Sequence, residues 1–219
     1  MTIGFFGKGG SGKTTTCFQF LRAVQHFYPN FLAVDADHNM DLSFNLGVED
    51  ITPYVGQPRT LPNGGELLAA GPHTEQVFDG EVCSHYLFRP LKAELEARKG
   101  KQSQLIVVDN TAGMDSVGAG IPSLLDVAVI CVEPALHSIK VAQQIVTALQ
   151  RFQTPPIIVA NKIQTQEQHK HVQQAFPGLA LVAIPFTATF LDPKQPQTEA
   201  LQGPYQELHT LLAQIQKAR

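Results

Sequence analysis

Gly7-Lys8-Gly9-Gly10-Ser11-Gly12-Lys13-Thr14-Thr15 is the stretch on which the fold turns. It fits G-x-x-x-x-G-K-[ST]. An apolar run at 2–7 (TIGFFG) precedes it, and a stretch of helix length at 13–28, ending at Pro29, follows. Strand, glycine-rich turn and helix in that order make an anion cradle. Glycines let successive backbone N–H groups turn inward, and the helix aims its positive N-terminal end at the same point. On this reading Gly9, Gly10, Ser11, Gly12, Lys13, Thr14 and Thr15 surround the phosphates of a nucleotide. Lys13 reaches the β- and γ-phosphates, and the Thr14 hydroxyl is suited to Mg²⁺, a hard ion that prefers oxygen.

Outward from the loop, further apolar runs stand at 31–35 (FLAVD), 105–109 (LIVVD), 127–132 (VAVICV), 157–161 (IIVAN) and 179–184 (LALVAI). None alternates strictly, which fits parallel strands covered on both faces. Helical stretches at about 85–99, 135–152 and 165–176 separate them. A last amphipathic helix at 204–217 carries Leu208, Leu211, Leu212 and Ile215 on one face. The expected architecture is α/β: one doubly wound domain over 1–219, its mostly parallel sheet flanked by helices on both sides. The Gly- and Pro-rich segment 47–65 reads as a surface excursion. Ligands in such sheets bind beyond the carboxyl ends of the strands, where Asp35 and Asp109 fall.

Bulk properties narrow the function. The chain has 219 residues, 43% hydrophobic and 16% charged, with net charge −3. Nothing in that balance draws it to nucleic acid or an anionic membrane. Cys17, Cys83 and Cys131 are too scattered for a disulfide framework. No basic leader precedes an apolar signal segment, and no run approaches the roughly 18 apolar residues of a membrane helix. A reducing cytoplasm and no membrane insertion are the expectation. Cys17 and Cys131 read as core residues.

Lys8 is not required by the general phosphate-loop pattern. The wording GKGGSGKTT resembles the deviant loop of the MinD/ParA/nitrogenase-iron-protein class. That resemblance implies an ATP-bound homodimer in which the early lysine reaches the partner subunit's phosphates, as an arginine finger does elsewhere. Val34-Asp35-Ala36-Asp37-His38-Asn39-Met40-Asp41 looks like the first switch of the class. The resemblance makes Asp37 the residue that orients the attacking water beside Mg²⁺, and Asp41 a nucleotide contact. Where the class often has Pro, His38 stands, and it reads as a solvated loop histidine. Asp109-Asn110-Thr111-Ala112-Gly113-Met114-Asp115 supplies the second switch, with Asp109 as the strand-end acid linked to Mg²⁺. Gly113 is placed to offer its N–H to the γ-phosphate. Relatives read adenine with an Asn at the place of Asn161 and with backbone at that of Pro185 and Phe186. Asn161-Lys162-Ile163-Gln164 lacks the Asp of a guanine reader, so ATP/ADP is favoured.

Within the class, AVDADHNMDL and VVDNTAGMD are similar to the switches of carbon monoxide dehydrogenase accessory (CooC-type) ATPases, which help insert nickel. Those relatives carry Cys-x-Cys where Cys83-Ser84-His85 stands here. Two subunits would offer Cys₂His₂ from Cys83 and His85, a set suited to Zn²⁺ and conceivable for Ni²⁺. The implied role is an ATP-driven dimer switch servicing a metalloenzyme client. The competing readings are a ParA-like partition or positioning ATPase, a small-molecule ligase of the dethiobiotin synthetase type, and a binding module with negligible turnover. Residues 163–219 hold Lys170, Lys194, Lys217 and Arg219 against Glu167, Asp192, Glu199 and Glu207, a balance that argues against DNA.

Overall fold

The computed structural model describes residues 1–49, 54–81, 88–99, 104–188 and 199–217. Among the described residues eight strands form one sheet: β1 (Thr2–Gly7), β2 (Leu32–Ala36), β3 (Tyr54–Thr60), β4 (Glu66–Ala69), β5 (Ile106–Asn110), β6 (Val127–Val132), β7 (Pro156–Ile163) and β8 (Leu181–Pro185). Their spatial order is β3-β4-β2-β5-β1-β6-β7-β8. Every pairing is parallel except that of β3 with β4.

Period-2 alternation explains why the apolar runs are continuous. Ile3 and Phe5 point into one core with Val107, Val129 and Cys131, while Phe6 points into the other with Ile106, Val108 and Ile130. The first core is closed by α1 (Lys13–Val24) and α8 (Glu199–Lys217), the second by α4 (Phe88–Arg98), α6 (Leu136–Leu149) and α7 (Gln166–Ala175). Both faces are therefore covered, as expected of a doubly wound sheet. Cys17 and Cys131 are fully buried, and burial pushes the Cys131 thiol up to about 12. On α8, Leu208 and Leu212 are fully buried and Leu211 and Ile215 pack partly against them. The helix starts at Glu199 rather than 204 and carries Pro204 within it.

Short elements differ from expectation. The segment 47–65 includes β3, an antiparallel edge strand, and β4 lies between it and β2. Neither has the long apolar signature of a central strand. Three short helices also appear: α2 (Asp41–Asn45), α3 (Glu75–Phe78) and α5 (Asp115–Gly118). Among the described residues no helix is long and apolar enough to cross a membrane.

The sheet order sets the site. β1 lies between β5 and β6, so the chain winds to one side for β2 and to the other for β6, β7 and β8. The loop after β1 thus opens at the switch point, where the crevice of such a sheet forms. In register, Asp35 and Phe5 both flank Asp109.

Candidate functional site

The loop between β1 and α1 takes its shape from left-handed glycines. Gly7, Gly10 and Gly12 have φ of 150°, 81° and 85°. At Gly7 a Cβ would fall 2.5 Å from both the Cys131 carbonyl oxygen and Ser11 Oγ; at Gly12 it would fall 2.2 Å from Asn161 Nδ2. A side chain at Gly7 would push against the β6 backbone, and one at Gly12 would displace the Asn161 amide. A turn within the loop is closed by the Ser11 N–H donating to the Lys8 carbonyl at 3.1 Å.

A cleft of about 390 Å³ opens over this loop. It brings together Gly9, Gly10, Gly12, Lys13, Thr14, Thr15, Asp37, Asp41, Asn161, Pro185 and Phe186 from the expected site. Ser11 is fully buried in the loop wall, with its hydroxyl unpartnered. Lys8 is exposed, its ammonium 3.3 Å from the Gly9 carbonyl. Cys83 and His85 lie outside the described residues, among which no group of three metal-ligating side chains occurs.

Two buried acids underlie the cleft. Asp35 Oδ2 accepts from the Ser43 N–H at 2.8 Å and the Ser43 hydroxyl at 2.7 Å, and Oδ1 from the Asp37 N–H at 3.3 Å. Burial still lifts its pKa to about 6 against those hydrogen bonds. Asp109 is fully buried and neither of its oxygens has a hydrogen-bond partner. Burial above all, then the Asp35 charge, pushes it up to about 8; the Thr14 hydroxyl and Lys13 act in the opposite direction without satisfying it. A buried carboxylate under the influence of a threonine hydroxyl and a lysine, neither of which closes a well-formed hydrogen bond to it, is an oxygen-bearing niche that fits a hard divalent cation.

The segments that follow β2 and β5 are held by specific bonds. Asp37 Oδ1 accepts from the Asn39 N–H at 3.0 Å. Asp37 and Asn39 both face the cleft. Gly113 gives its N–H to the Gly7 carbonyl at 2.9 Å, so a phosphate contact from that group requires this bond to be exchanged. Asn161 gives its amide to the Ser11 carbonyl at 2.8 Å, and its oxygen accepts from the Lys162 N–H at 2.9 Å. It therefore ties the loop to β7.

His38 is not the solvated residue expected. Its Nδ1 donates to the Gly71 carbonyl at 2.9 Å, its ring lies 4.3 Å from that of His73 and 5.3 Å from that of Phe88, and its Nε2 is buried. The contacts come from 33 or more residues away in sequence, beyond the reach of a local reading. Sequence reasoning also missed Ser43, Lys162 and Tyr205. Tyr205 reaches the cleft from α8 although almost wholly buried.

A parallel α/β sheet with a glycine-lined anion loop at its switch point, and buried acids at adjoining strand ends, defines a P-loop nucleotide-binding protein. The chain belongs to the CobQ/CobB/MinD/ParA nucleotide binding domain family, whose model matches residues 5–192. It is 22% identical over 222 aligned positions to an uncharacterised ATP-binding protein of Methanocaldococcus jannaschii, covering 84% of this chain and 88% of that one. It is 25% identical over 180 to the carbon monoxide dehydrogenase accessory protein CooC of Rhodospirillum rubrum, covering 66% and 67%. In structure it resembles the septum site-determining protein MinD of Pyrococcus horikoshii, solved with Mg-ADP: TM-score 0.73, 20% identity, 98% of this chain and 99% of that one.

Proposed function

We propose that this protein is an ATP-hydrolysing dimer switch that serves the assembly of a metallocentre. One observation carries the enzymatic part: Lys8 is exposed on the phosphate loop, next to Gly9, which lines the cleft. A lysine at the surface, held only to the carbonyl of its own neighbour Gly9, can enter a second subunit's site, whereas Lys13 is buried in its own.

Asp109 and Thr14 would hold the Mg²⁺ ion. Bound there, it supplies positive charge to the phosphate oxygens. The loop N–H groups and Lys13 bind and orient the triphosphate, a task of positioning more than covalent chemistry. Asp37, anchored through the Asn39 N–H, keeps its second oxygen for a water in line with the γ-phosphate. The partner's copy of Lys8 stabilises charge on the transferring group. Asn161, which also ties the loop, lines the cleft with Pro185 and Phe186, and these three take adenine; Phe186 is 48% exposed and offers a face for stacking.

The client reading rests on the CooC similarity and on the wording of the two switches. It adds Cys83 and His85 as a candidate intersubunit pair for Zn²⁺ or Ni²⁺. Light scattering and phosphate release with Mg-ATP test the switch. Lys8→Ala is expected to remain a monomer and lose turnover; a Lys8→Ala protein that dimerises and hydrolyses like the parent removes the reading. Metal analysis of the parent and Cys83→Ala tests the client branch. One metal per dimer, lost in the variant, supports it; no metal in the ATP-bound dimer removes it.

A further inference from the structure

β7 is irregular where it meets the phosphate loop. Its register with β8 shifts between Ala160 and Ile163, and Lys162 has φ 59°. That left-handed backbone is unfavourable for a residue with a Cβ, and its occurrence at a site asks what it achieves. In a regular strand Asn161 and Lys162 would point to opposite faces of the sheet. Here both reach the same loop. Asn161 Nδ2 donates to the Ser11 carbonyl at 2.8 Å, and Lys162 Nζ donates to the Gly10 carbonyl at 2.7 Å. The kink thus turns two neighbouring side chains onto two consecutive peptides, 150 or more residues away in sequence.

Lys162 is itself held. Its ammonium pairs with the Glu133 carboxylate, and the Glu133 N–H donates to Ser138 Oγ at 3.0 Å. Glu133 directly follows β6 and Ser138 lies in the first turn of α6. The ends of two strands and a helix therefore brace one loop carbonyl.

We infer that Lys162 is a positioning residue of the phosphate loop, oriented by Glu133, and that it fixes the Gly10–Ser11 peptide for binding the nucleotide's phosphates. The inference rests on the nucleotide-binding role of the cleft. In a trans peptide the C=O and N–H point in opposite directions. With the Gly10 and Ser11 carbonyls drawn outward to β7, the following N–H groups turn away from β7: that of Ser11 closes the loop's own turn onto the Lys8 carbonyl at 3.1 Å, and that of Gly12 is directed to the inner side of the loop. Gly10 and Gly12 are left-handed, and glycines reorient their peptides at little steric cost. The two ties remove that freedom before an anion arrives, and such preorganisation raises affinity. An ammonium on the Gly10 carbonyl also polarises the peptide, strengthening the Ser11 N–H bond to the Lys8 carbonyl that sets the shape of the loop.

Calorimetry on the intact chain separates this role from base recognition. The titrants are Mg-ADP and magnesium pyrophosphate, which has no base. Methionine keeps the apolar stem of lysine, so Lys162→Met removes the ammonium alone. The expected result is a loss of about 10- to 100-fold for both titrants, the range for a hydrogen bond to a charged group. Glu133→Gln is expected to lose less, and to add nothing in the Lys162→Met background. Lys162→Arg, which restores a cation, is expected to recover most of the affinity. A parent that binds ADP beside a Lys162→Met protein that binds it equally well overturns the inference alone. So does a loss confined to ADP with pyrophosphate unchanged, which would place Lys162 at the base. A parent that binds neither titrant removes the nucleotide reading, and this inference with it.

Discussion

Replacing Asp109 by Asn is expected to stabilise the nucleotide-free protein while impairing its response to Mg-ATP. The carboxyl is buried, unpartnered and pushed from near 4 up to about 8. Below the unfolded value both states hold the proton, and burial adds little electrostatic cost. As pH rises from about 4 to about 8, the unfolded chain releases its proton and the folded chain retains it. Stability falls across that window and levels off above it. At pH 7.5 the difference is worth about 5 kcal/mol, at 1.36 kcal/mol per pH unit. An asparagine carries no such penalty but leaves its own amide unpaired, at a cost of about 1–3 kcal/mol. The net gain is about 2–4 kcal/mol, or roughly 5–15 °C in Tm for a chain of this size. At pH 4.5 the electrostatic part shrinks to about 1 kcal/mol and the gain vanishes. Thermal unfolding by circular dichroism, with EDTA, at pH 4.5 and 7.5 makes the comparison. The same runs with Mg-ATP should raise the parent's Tm more than the variant's. An Asp109→Asn protein that is less stable than the parent at pH 7.5 would refute the reasoning, because the burial cost would then be absent.

Other outcomes follow from the same geometry. Gly12→Ala must adopt φ 85° with its methyl against Asn161 Nδ2, so nucleotide affinity should fall at least tenfold by calorimetry, more than for Gly9→Ala, whose Cβ meets nothing closer than 3.7 Å. Ser43→Ala removes the hydroxyl donor to Asp35 Oδ2 and leaves the Ser43 N–H bond. Urea unfolding should show a loss of about 1–3 kcal/mol at pH 8 that shrinks as pH falls towards about 6 and is small below it, where Asp35 holds its proton in parent and variant alike. Asp37→Asn keeps the Asn39 turn but weakens the water-orienting group; phosphate release should drop roughly 100-fold or more while the Kd for Mg-ATP changes by less than about threefold.

How much of this was legible beforehand depends on range. The loop at 7–15 could be read because its chemistry is local: glycines, Lys13 and Thr14 occupy consecutive positions. The six apolar runs mark six of the eight strands, since a strand buried on both faces needs no partner to be recognised. β4 has only four residues, and β3 is an edge strand interrupted by Gly56 and Pro58, so neither carries that signature. Asp35 and Asp109 were visible as strand-end acids, but not that one is capped by Ser43 and the other by nothing. The ties from Asn161 and Lys162 to the loop join opposite ends of the chain, and the left-handed kink that aims Lys162 is made at a residue type with no turn preference. His38 shows the same limit: its environment is built by Gly71, His73 and Phe88, none of them near in sequence.

The central claim is that backbone amides of the loop after β1, with Lys13, hold a nucleotide's phosphates. Isothermal titration of the intact protein with ATP and Mg²⁺, beside Lys13→Ala, tests it most directly. One nucleotide per chain, with affinity lost in the variant, is the expected result. A folded parent protein that takes up neither ATP nor ADP, or a Lys13→Ala protein that binds both as tightly as the parent, would contradict it.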